Sequence, residues 1–308
     1  MSERAEWMTQ NWTSGKLNAL VKAIGEETAT KILKSRWKVV EKDRTITLER
    51  ILEPLFDKNG RRIPENLSAN VCDANEDFRL NQLNLKDEVD YANRILRLHG
   101  CLSVDTKVTA QRLKGKTEHL LALIRNNSQI ANVLNGVWLP VVLPQLITDD
   151  LGTILEQYLE GAGKSYIKTF SDRKFYNHRK NTLANNVSTT DGSRQDQLVE
   201  RMKQGPVIGV YFSNPLQGFS IDASREQMST LPREFILSGL DIAIAMVMYP
   251  DILARDWNTP GLDLAALSWQ SSACSLCFGA YDALLDFGRT DNLADADDDC
   301  SGGLLFLG

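Results

Sequence analysis

The chain has 308 residues, 43% of them hydrophobic, and carries a formal net charge of −5. This composition is typical of a globular protein with a sizeable core, and the negative charge is atypical of a dedicated nucleic-acid binder, which is normally basic. No apolar stretch reaches the roughly 20 residues of a membrane helix, and the amino terminus lacks the layout of a signal peptide, so we expect a soluble, cytoplasmic protein without a membrane partner.

The charge is unevenly placed along the chain. From Asp241 onward, eleven Asp and no Glu stand against Arg255 and Arg289, which leaves −9 on this tail and +4 on the first 240 residues. The five cysteines are an odd number spread over a long chain, unlike a disulfide scaffold. We therefore expect reduced thiols.

The first predicted elements are two short helices around Gly25, with apolar residues of 17–24 and 29–33 on one helical face. A DNA-reading helix-turn-helix is one interpretation, because several lysines lie nearby. A helical hairpin with solvated lysines is favoured, because the helices are short and Glu26 and Glu27 would face phosphates. Nucleic acid is therefore the lesser alternative as a partner.

Strands are predicted at 37–41 and 45–51, and Asn59-Gly60 indicates a tight hairpin turn. An amphipathic helix is predicted from Val89 to Leu98 and is expected to end at Gly100.

A further helix should be led by Thr117 and end at Gly136. The segment 137–144 is predicted to be extended and apolar, and its two prolines favour an edge or a linking strand over a central one. Before it we place a boundary between a helix-rich region, residues 1–136, and a carboxy-terminal α/β domain, residues 137–308.

Residues 161–165, Gly-Ala-Gly-Lys-Ser, resemble the end of a phosphate-binding loop. That loop needs an earlier glycine where this chain has Tyr158, and it should follow a strand. Because apolar residues from Leu151 to Phe170 continue one helical stripe through the glycines, we predict a helix here.

Residues 173–180 interleave basic side chains with Phe175 and Tyr176. Such a segment suits an anionic partner, whose phosphate the cations would hold. The alternative is a solvated connection whose aromatic rings pack on the core. The candidate anion-binding residues are Arg173, Lys174, His178, Arg179 and Lys180.

The stretch from Gly205 to Trp269 is predicted to fold as strand, helix, strand, helix, strand, with strands at 206–212, 235–238 and 264–269. Helices should begin at the capping positions Ser224 and Ser238, and Pro250 should kink or split the second helix.

Short strands at 275–281, 284–287 and 303–307 are predicted to extend the sheet in antiparallel fashion. The fold class is therefore α/β or α+β, with a helix-rich amino-terminal part and a carboxy-terminal mixed sheet.

If the three strands of the central stretch are parallel, a ligand should bind beyond their carboxyl ends. Neutral hydroxyls and amides dominate this edge, which favours a binding or interaction protein for a small polar or anionic ligand. A hydrolase or group-transfer enzyme that uses Asp241 and a serine is the alternative, and the oligomeric state is left open. The candidate ligand-binding residues are Ser213, Asn214, Ser238, Asp241, Gln270 and Ser271.

Two patterns suggest metal sites but are incomplete. Cys274 and Cys277 have the spacing of a metal or redox pair, but a second pair is missing, and on a strand they would point to opposite faces. Asp295, Asp297 and Asp299 alternate like calcium ligands, but the glycine and final carboxylate of a calcium loop are lacking. We expect no metal, no cofactor and no disulfide.

Five segments carry a resemblance to a known family, and they lie at 138–145, 205–209, 224–228, 249–261 and 300–306. Through them the chain resembles, across most of its length, a family of predicted proteins from uncultured, reduced-genome bacteria, a family without an assigned activity. The resemblance implies a bacterial, cytoplasmic protein and transfers no functional residue.

Overall fold

A computed structural model describes residue 18 and residues 21–33, 37–42, 45–50, 53–85 and 88–308. The chain divides into two compact units, Met1–Glu53 and Pro54–Gly308. Part of the first predicted helix, at residues 17, 19 and 20, lies outside the described residues.

The first unit contains the predicted helices and strands. Residues 21–24 are helical, Gly25 has a φ of 84°, and helix α1 follows at Glu26–Leu33. The two predicted strands form as β1 (Trp37–Lys42) and β2 (Thr45–Arg50), and they pair antiparallel with each other.

The second unit combines helices with a mixed sheet of eight strands, which confirms the predicted α+β class. Its helices are α2 (Glu88–Leu102), α3 (Ala110–Arg125), α4 (Leu151–Thr169), α5 (Gln195–Gln204), α6 (Ile221–Gln227), α7 (Leu240–Met248) and α8 (Pro250–Leu253). Its strands are β3 (Trp138–Leu143), β4 (Lys174–Asn177), β5 (Val187–Thr189), β6 (Val207–Gln217), β7 (Phe235–Leu237), β8 (Gly261–Asp263), β9 (Leu267–Trp269), β10 (Ser275–Ala280), β11 (Leu284–Thr290) and β12 (Cys300–Phe306).

Strand β12 lies inside the eight-stranded sheet, in which seven strands follow the order β3-β6-β12-β8-β10-β11-β4 and the eighth, β7, pairs with β12. One edge of β12 pairs antiparallel with β6, and it also pairs parallel with β8 and antiparallel with β7. Strands β6 and β7 therefore run parallel to each other with β12 between them. The sequence predicted this last strand as an extension, whereas it joins the two halves of the sheet.

Both faces of the central strands are covered. Along β12, Leu305 belongs to one apolar core, and Leu304 and Phe306 belong to the other. In β6, Tyr211 belongs to the first core and Phe212 to the second. This explains the continuous apolar run from which the strand was predicted.

Two predicted helix boundaries in the amino-terminal half are wrong. Helix α2 continues through Gly100 because Cys101 and Leu102 are buried, which outweighs the roughly 1 kcal/mol propensity cost of a glycine. Helix α3 begins much earlier than Thr117, since the Thr109 hydroxyl caps it and accepts from the Arg112 amide at 3.2 Å. Gly136 ends a 3₁₀ turn at Ala131–Asn135.

In the central stretch both predicted helices form, but their starts differ from the prediction. Helix α6 is capped by Ser220, whose hydroxyl accepts from the Ala223 amide at 3.1 Å, and Ser224 lies inside the helix. Helix α7 begins after Gly239. Pro250 starts helix α8, so it splits the second helix as predicted.

The prediction of a third parallel strand at 264–269 is wrong. Residues 264–269 form a tight turn, in which the Leu267 amide donates to the Leu264 carbonyl at 2.8 Å, and then the short strand β9. Strand β9 pairs with β5 in a separate two-stranded sheet. The edge expected from three parallel strands therefore does not form.

The compact units differ from the predicted division after residue 136. Helices α2, α4 and α7 pack together, and α3 packs on β3 and β6. The Arg94 guanidinium makes two hydrogen bonds to the Asp251 carboxylate, at 2.6 and 2.8 Å, across the predicted boundary. Amphipathic helices show a buried face but not which partner buries it, so the pattern could not locate the division. Within the described residues, no helix is both long and apolar enough to cross a membrane.

Candidate functional site: an acidic cavity on the sheet

One half of the eight-stranded sheet has a core face and a cavity face. Leu276 and Phe278 of β10 belong to the first apolar core, as do Leu285 and Phe287 of β11. Side chains alternate along a strand, so the residues between them point to the opposite face. The residues on that face are Asp263, Cys277, Gly279, Asp286 and Gly288, and they line a cavity of about 590 Å³. We refer to it as the acidic cavity.

Asp263 lies on the floor of the acidic cavity at the end of β8. It is opposite Cys277 on β10 and beside Gly302 on β12. Its exposed fraction is 9%, and no hydrogen bond or ion pair to its carboxylate exists among the described residues. A buried carboxylate without a partner destabilises a fold, so its presence calls for a functional explanation.

Three more carboxylates reach the cavity from the loop before β12, at Asp295, Asp297 and Asp299. Main-chain groups hold this loop in place. The Asp298 carbonyl accepts from the Asn75 amide at 2.9 Å, and the Asp299 carbonyl accepts from the Gly261 amide at 2.8 Å. The loop is therefore anchored through its backbone, which leaves the carboxylates facing the cavity.

Burial and the like charges of Asp297 and Asp299 raise the pKa of Asp263 to about 7. Burial and its acidic neighbours also raise the pKa of Asp297, and burial raises the pKa of Asp286 against the opposing effect of His178. Clustered carboxylates with raised pKa values are stabilised by a cation placed among them.

The two thiols of the cavity are poor nucleophiles. Burial and the charges of Asp263 and Asp286 raise the pKa of Cys277 to about 12, and burial also raises the pKa of Cys300. Because the thiolate is the reactive form, both side chains are neutral and unreactive near pH 7.

Aromatic rings form part of the wall. Trp257 is 52% exposed and packs edge-on against Phe78, with ring centroids 6.2 Å apart. Tyr281, also 52% exposed, lies over Gly279. Of the described lining residues Arg289 is the only cation, and its guanidinium pairs with Asp291 at 2.9 Å. Carboxylates beside aromatic faces form a surface that attracts organic cations.

The ligand-binding residues predicted from the sequence lie in three separate places in the structure. Ser213 and Asn214 lie within β6, which continues to Gln217 because its second half also pairs with β12. Ser213 is buried, and the Asn214 Oδ1 atom accepts from the Val137 amide at 3.1 Å.

Ser238 and Asp241 are fully buried at the start of α7, where the Asp241 Oδ1 atom accepts from the Gly239 amide at 2.8 Å. Gln270 and Ser271 lie apart from them and line a separate open groove with Arg225. The six residues therefore do not share a cleft.

The predicted anion-binding segment forms the edge strand β4 and the turn after it. The Arg173 guanidinium donates to the Arg255 carbonyl and lies 4.2 Å from the Phe170 ring centroid, and the Arg179 guanidinium lies 5.1 Å from that of Trp269. Lys174, His178 and Lys180 are exposed. The two arginines are thus engaged in packing, and an anionic partner for the segment stays a prediction.

Helix α4 runs without interruption through residues 161–165, as predicted. The glycines permit close packing rather than phosphate binding, since a Cβ atom on Gly163 would lie 2.4 Å from the Phe175 ring.

The side chains of Asp297, Asp299 and Cys300 bring their potential ligand atoms within 4.8 Å of one another and could hold a metal ion. This set is one donor short of a four-ligand structural zinc site. Cys274 packs in the first core whereas Cys277 faces the cavity, which confirms that this pair points to opposite faces. The absence of a bound metal stays a prediction.

Comparison of the chain with protein-family models, with curated proteins and with solved structures finds no match. The bacterial family resemblance therefore stays a prediction. Sequence reasoning missed Asp263 and Asp286 as site residues. The available signal was the alternation of Cys277-Phe278-Gly279 and Asp286-Phe287-Gly288, which places small and acidic residues on one face.

Proposed function

We propose that the protein binds a small organic cation, such as a primary amine, in the acidic cavity. The observation that carries this proposal is Asp263, a buried carboxylate that lines the cavity and has no partner among the described residues. An ammonium group would supply the missing charge and hydrogen bonds, which are stronger when donor and acceptor are both charged. This specifies the small polar ligand expected from the sequence.

Size and surroundings support the same ligand class. A cavity of about 590 Å³ is within the range of small-molecule sites and far larger than a metal ion requires. The exposed faces of Trp257 and Tyr281 would contact the apolar or cationic part of the molecule. Five aspartates line the cavity and would repel an anion, so an anionic ligand is not favoured here.

The test is a calorimetric titration of the full chain with n-butylamine, 1-butanol and butyrate. We expect binding of the amine alone, weakened about tenfold or more by Asp263→Asn, because a charge-assisted contact becomes a neutral one. The exposed Asp282 lies outside the lining residues, so Asp282→Asn is the matched control and should leave the affinity unchanged. Equal binding of 1-butanol would contradict the proposal.

A second candidate is a hydrolase or group-transfer enzyme that uses Asp263 as a general acid or base. Burial and its acidic neighbours raise its pKa to about 7, which suits proton transfer near neutral pH. Asp241, the residue predicted for this role, is buried and does not line the cavity. Mass spectrometry of an amine-substrate panel would detect turnover, which must be lost in Asp263→Asn for this candidate to hold.

A further inference from the structure

Four of the five carboxylates that line the acidic cavity mark two positions on its floor. Asp263, Asp297 and Asp299 interact with one another and form an inner group. Asp286 is an outer carboxylate on β11, with 3.9 Å between its Oδ2 atom and the Nε2 atom of His178. Negative charge is thus placed at two positions along the floor.

The register of the sheet sets the spacing between the two positions. Cys277 is opposite Asp263 on one side and opposite Gly288 on the other, and Asp286 is two residues from Gly288. With neighbouring strands about 4.8 Å apart and a rise of about 3.4 Å per residue, the Cα atoms of Asp263 and Asp286 lie roughly 12 Å apart.

The floor between the two positions is lined by small side chains, since Cys277 and Gly288 lie directly opposite each other. A Cβ atom on Gly288 would meet no atom within 4 Å, whereas one on Gly279 would lie 2.9 Å from the Asp286 Oδ1 atom and 3.3 Å from the Tyr281 ring. The space over Gly279 is therefore filled, and an extended methylene chain could cross the floor at Gly288 and Cys277, beside the tyrosine ring.

We infer that the cavity takes a linear diamine, with one ammonium group in the inner group and the other at the outer carboxylate. The inference rests on the proposed function and goes beyond it by assigning a second charge and a length. After allowance for contacts of about 2.8 Å at each end, the spacing accommodates about four or five methylenes.

Asp263 distinguishes the acidic cavity from an exposed cluster of acidic side chains. Asp263 is more than nine-tenths buried, lines the cavity and lacks a partner among the described residues, so the inner position already requires a cationic group. Asp286 is half-buried, and its carboxylate is partly exposed. It therefore favours a ligand that extends from Asp263 toward Asp286 and carries a second positive charge.

The test is a calorimetric comparison of n-butylamine with 1,2-ethanediamine, 1,5-pentanediamine and 1,8-octanediamine on the full chain. We expect 1,5-pentanediamine to bind about tenfold more tightly than the monoamine, as a second charged contact predicts, and also more tightly than the shorter and longer diamines. Asp286→Asn should remove this advantage, so that 1,5-pentanediamine binds no more tightly than n-butylamine.

Gly288→Val gives a second, steric check, because valine suits a strand and would occupy the open floor. It should weaken pentanediamine binding more than butylamine binding. A lysine side chain offers the same ammonium chemistry but only one charge, so Nα-acetyl-lysine amide should bind like the monoamine.

Equal affinities for n-butylamine and all the diamines would overturn the inference and leave the proposed function standing, as would a diamine affinity unchanged by Asp286→Asn. Binding of none of the amines would overturn both. Acetyl-lysine amide binding as tightly as pentanediamine would show a peptide ligand and also overturn the diamine assignment.

Discussion

Asp263 and Cys277 lie directly opposite each other on the neighbouring antiparallel strands β8 and β10. Their side chains therefore share one face of the sheet, the face that carries Asp286 on the next strand. Leucine and phenylalanine occupy the alternating positions and fill the core beneath. The same two-residue period thus builds a stable sheet on one side and an acidic cavity on the other.

The first prediction concerns the stability cost of this arrangement. Burial and the charges of Asp297 and Asp299 raise the pKa of Asp263 from 3.8 to about 7, so the folded state holds this proton more tightly than the unfolded state. Stability is therefore lost as the pH rises from about 4 to about 7. Asp263→Asn should increase the free energy of unfolding at pH 8 by as much as about 4 kcal/mol.

Urea denaturation from pH 3.5 to pH 8 checks this prediction. The gain in free energy of unfolding from Asp263→Asn should shrink toward zero near pH 3.5, where Asp263 is protonated in both the folded and the unfolded state. Asp282→Asn should show no comparable gain. If Asp263→Asn were less stable than the natural chain at pH 8, the carboxylate would have a stabilising partner and the account of the cavity would fail.

The second prediction concerns Asp241, which the sequence placed at the ligand site. Its Oδ1 atom accepts from the Gly239 amide at the buried start of α7. Asp241→Ala leaves that amide without a partner, so it should be less stable than Asp241→Asn by about 1–3 kcal/mol. Both variants should bind butylamine like the natural chain. A selective loss of amine binding in folded Asp241→Asn would show that Asp241 belongs to the ligand-binding site.

The third prediction concerns the ion pair of Arg94 and Asp251. Burial works to raise the pKa of Asp251, but the hydrogen bonds and charge of Arg94 outweigh it and hold that pKa below its usual value. Arg94→Ala should reduce the free energy of unfolding by about 2–3 kcal/mol at pH 7, because it leaves a half-buried carboxylate unpaired.

The pair's contribution is present above the unfolded pKa and is lost as the pH falls through the lower folded pKa, so the deficit of Arg94→Ala should narrow below about pH 4. Arg79 pairs with Glu76 on the surface, and Arg79→Ala should change stability by less than about 0.5 kcal/mol. Denaturation curves that show similar effects for both arginines would contradict the assignment.

The fourth prediction separates packing from phosphate binding in helix α4. A methyl group on Gly163 would overlap the Phe175 ring, so Gly163→Ala should lower the thermal midpoint, with a cost of about 1–2 kcal/mol after the gain in helix propensity. Gly115, in helix α3, has open space around it, and Gly115→Ala should stabilise by about 0.5–1 kcal/mol. Stabilisation by both changes would show that Phe175 moves aside readily.

Much of the fold could be predicted from periodicity. The buried strand β6, the edge strand β3 and the continuous helix α4 follow from local patterns of apolar residues and prolines. Strand order could not be predicted, because β12 pairs with residues up to 96 positions away in sequence (Phe306 with Val210), and no local pattern specifies the partner strand.

The candidate site shows the same limit. Asp263 and Asp297 are far apart along the chain and meet only because β8 pairs with β12. The sequence showed that the tail from Asp241 onward is rich in aspartate. A solvated turn and a cavity wall can have the same acidic composition, so the composition alone did not indicate a cavity. The parallel-edge hypothesis failed at 264–269, where a tight turn replaced the third strand.

Proton release on amine binding reports directly on the ionisation of Asp263. With a pKa of about 7, Asp263 is mostly protonated at pH 6, and an ammonium group bound beside it should release a proton. Titrations with n-butylamine in buffers of different ionisation enthalpy should show a release approaching about one proton at pH 6, far less at pH 8, and none in Asp263→Asn. Amine binding at pH 6 without proton release, or with an affinity unchanged by Asp263→Asn, would contradict the claim that this carboxylate is the cation's partner.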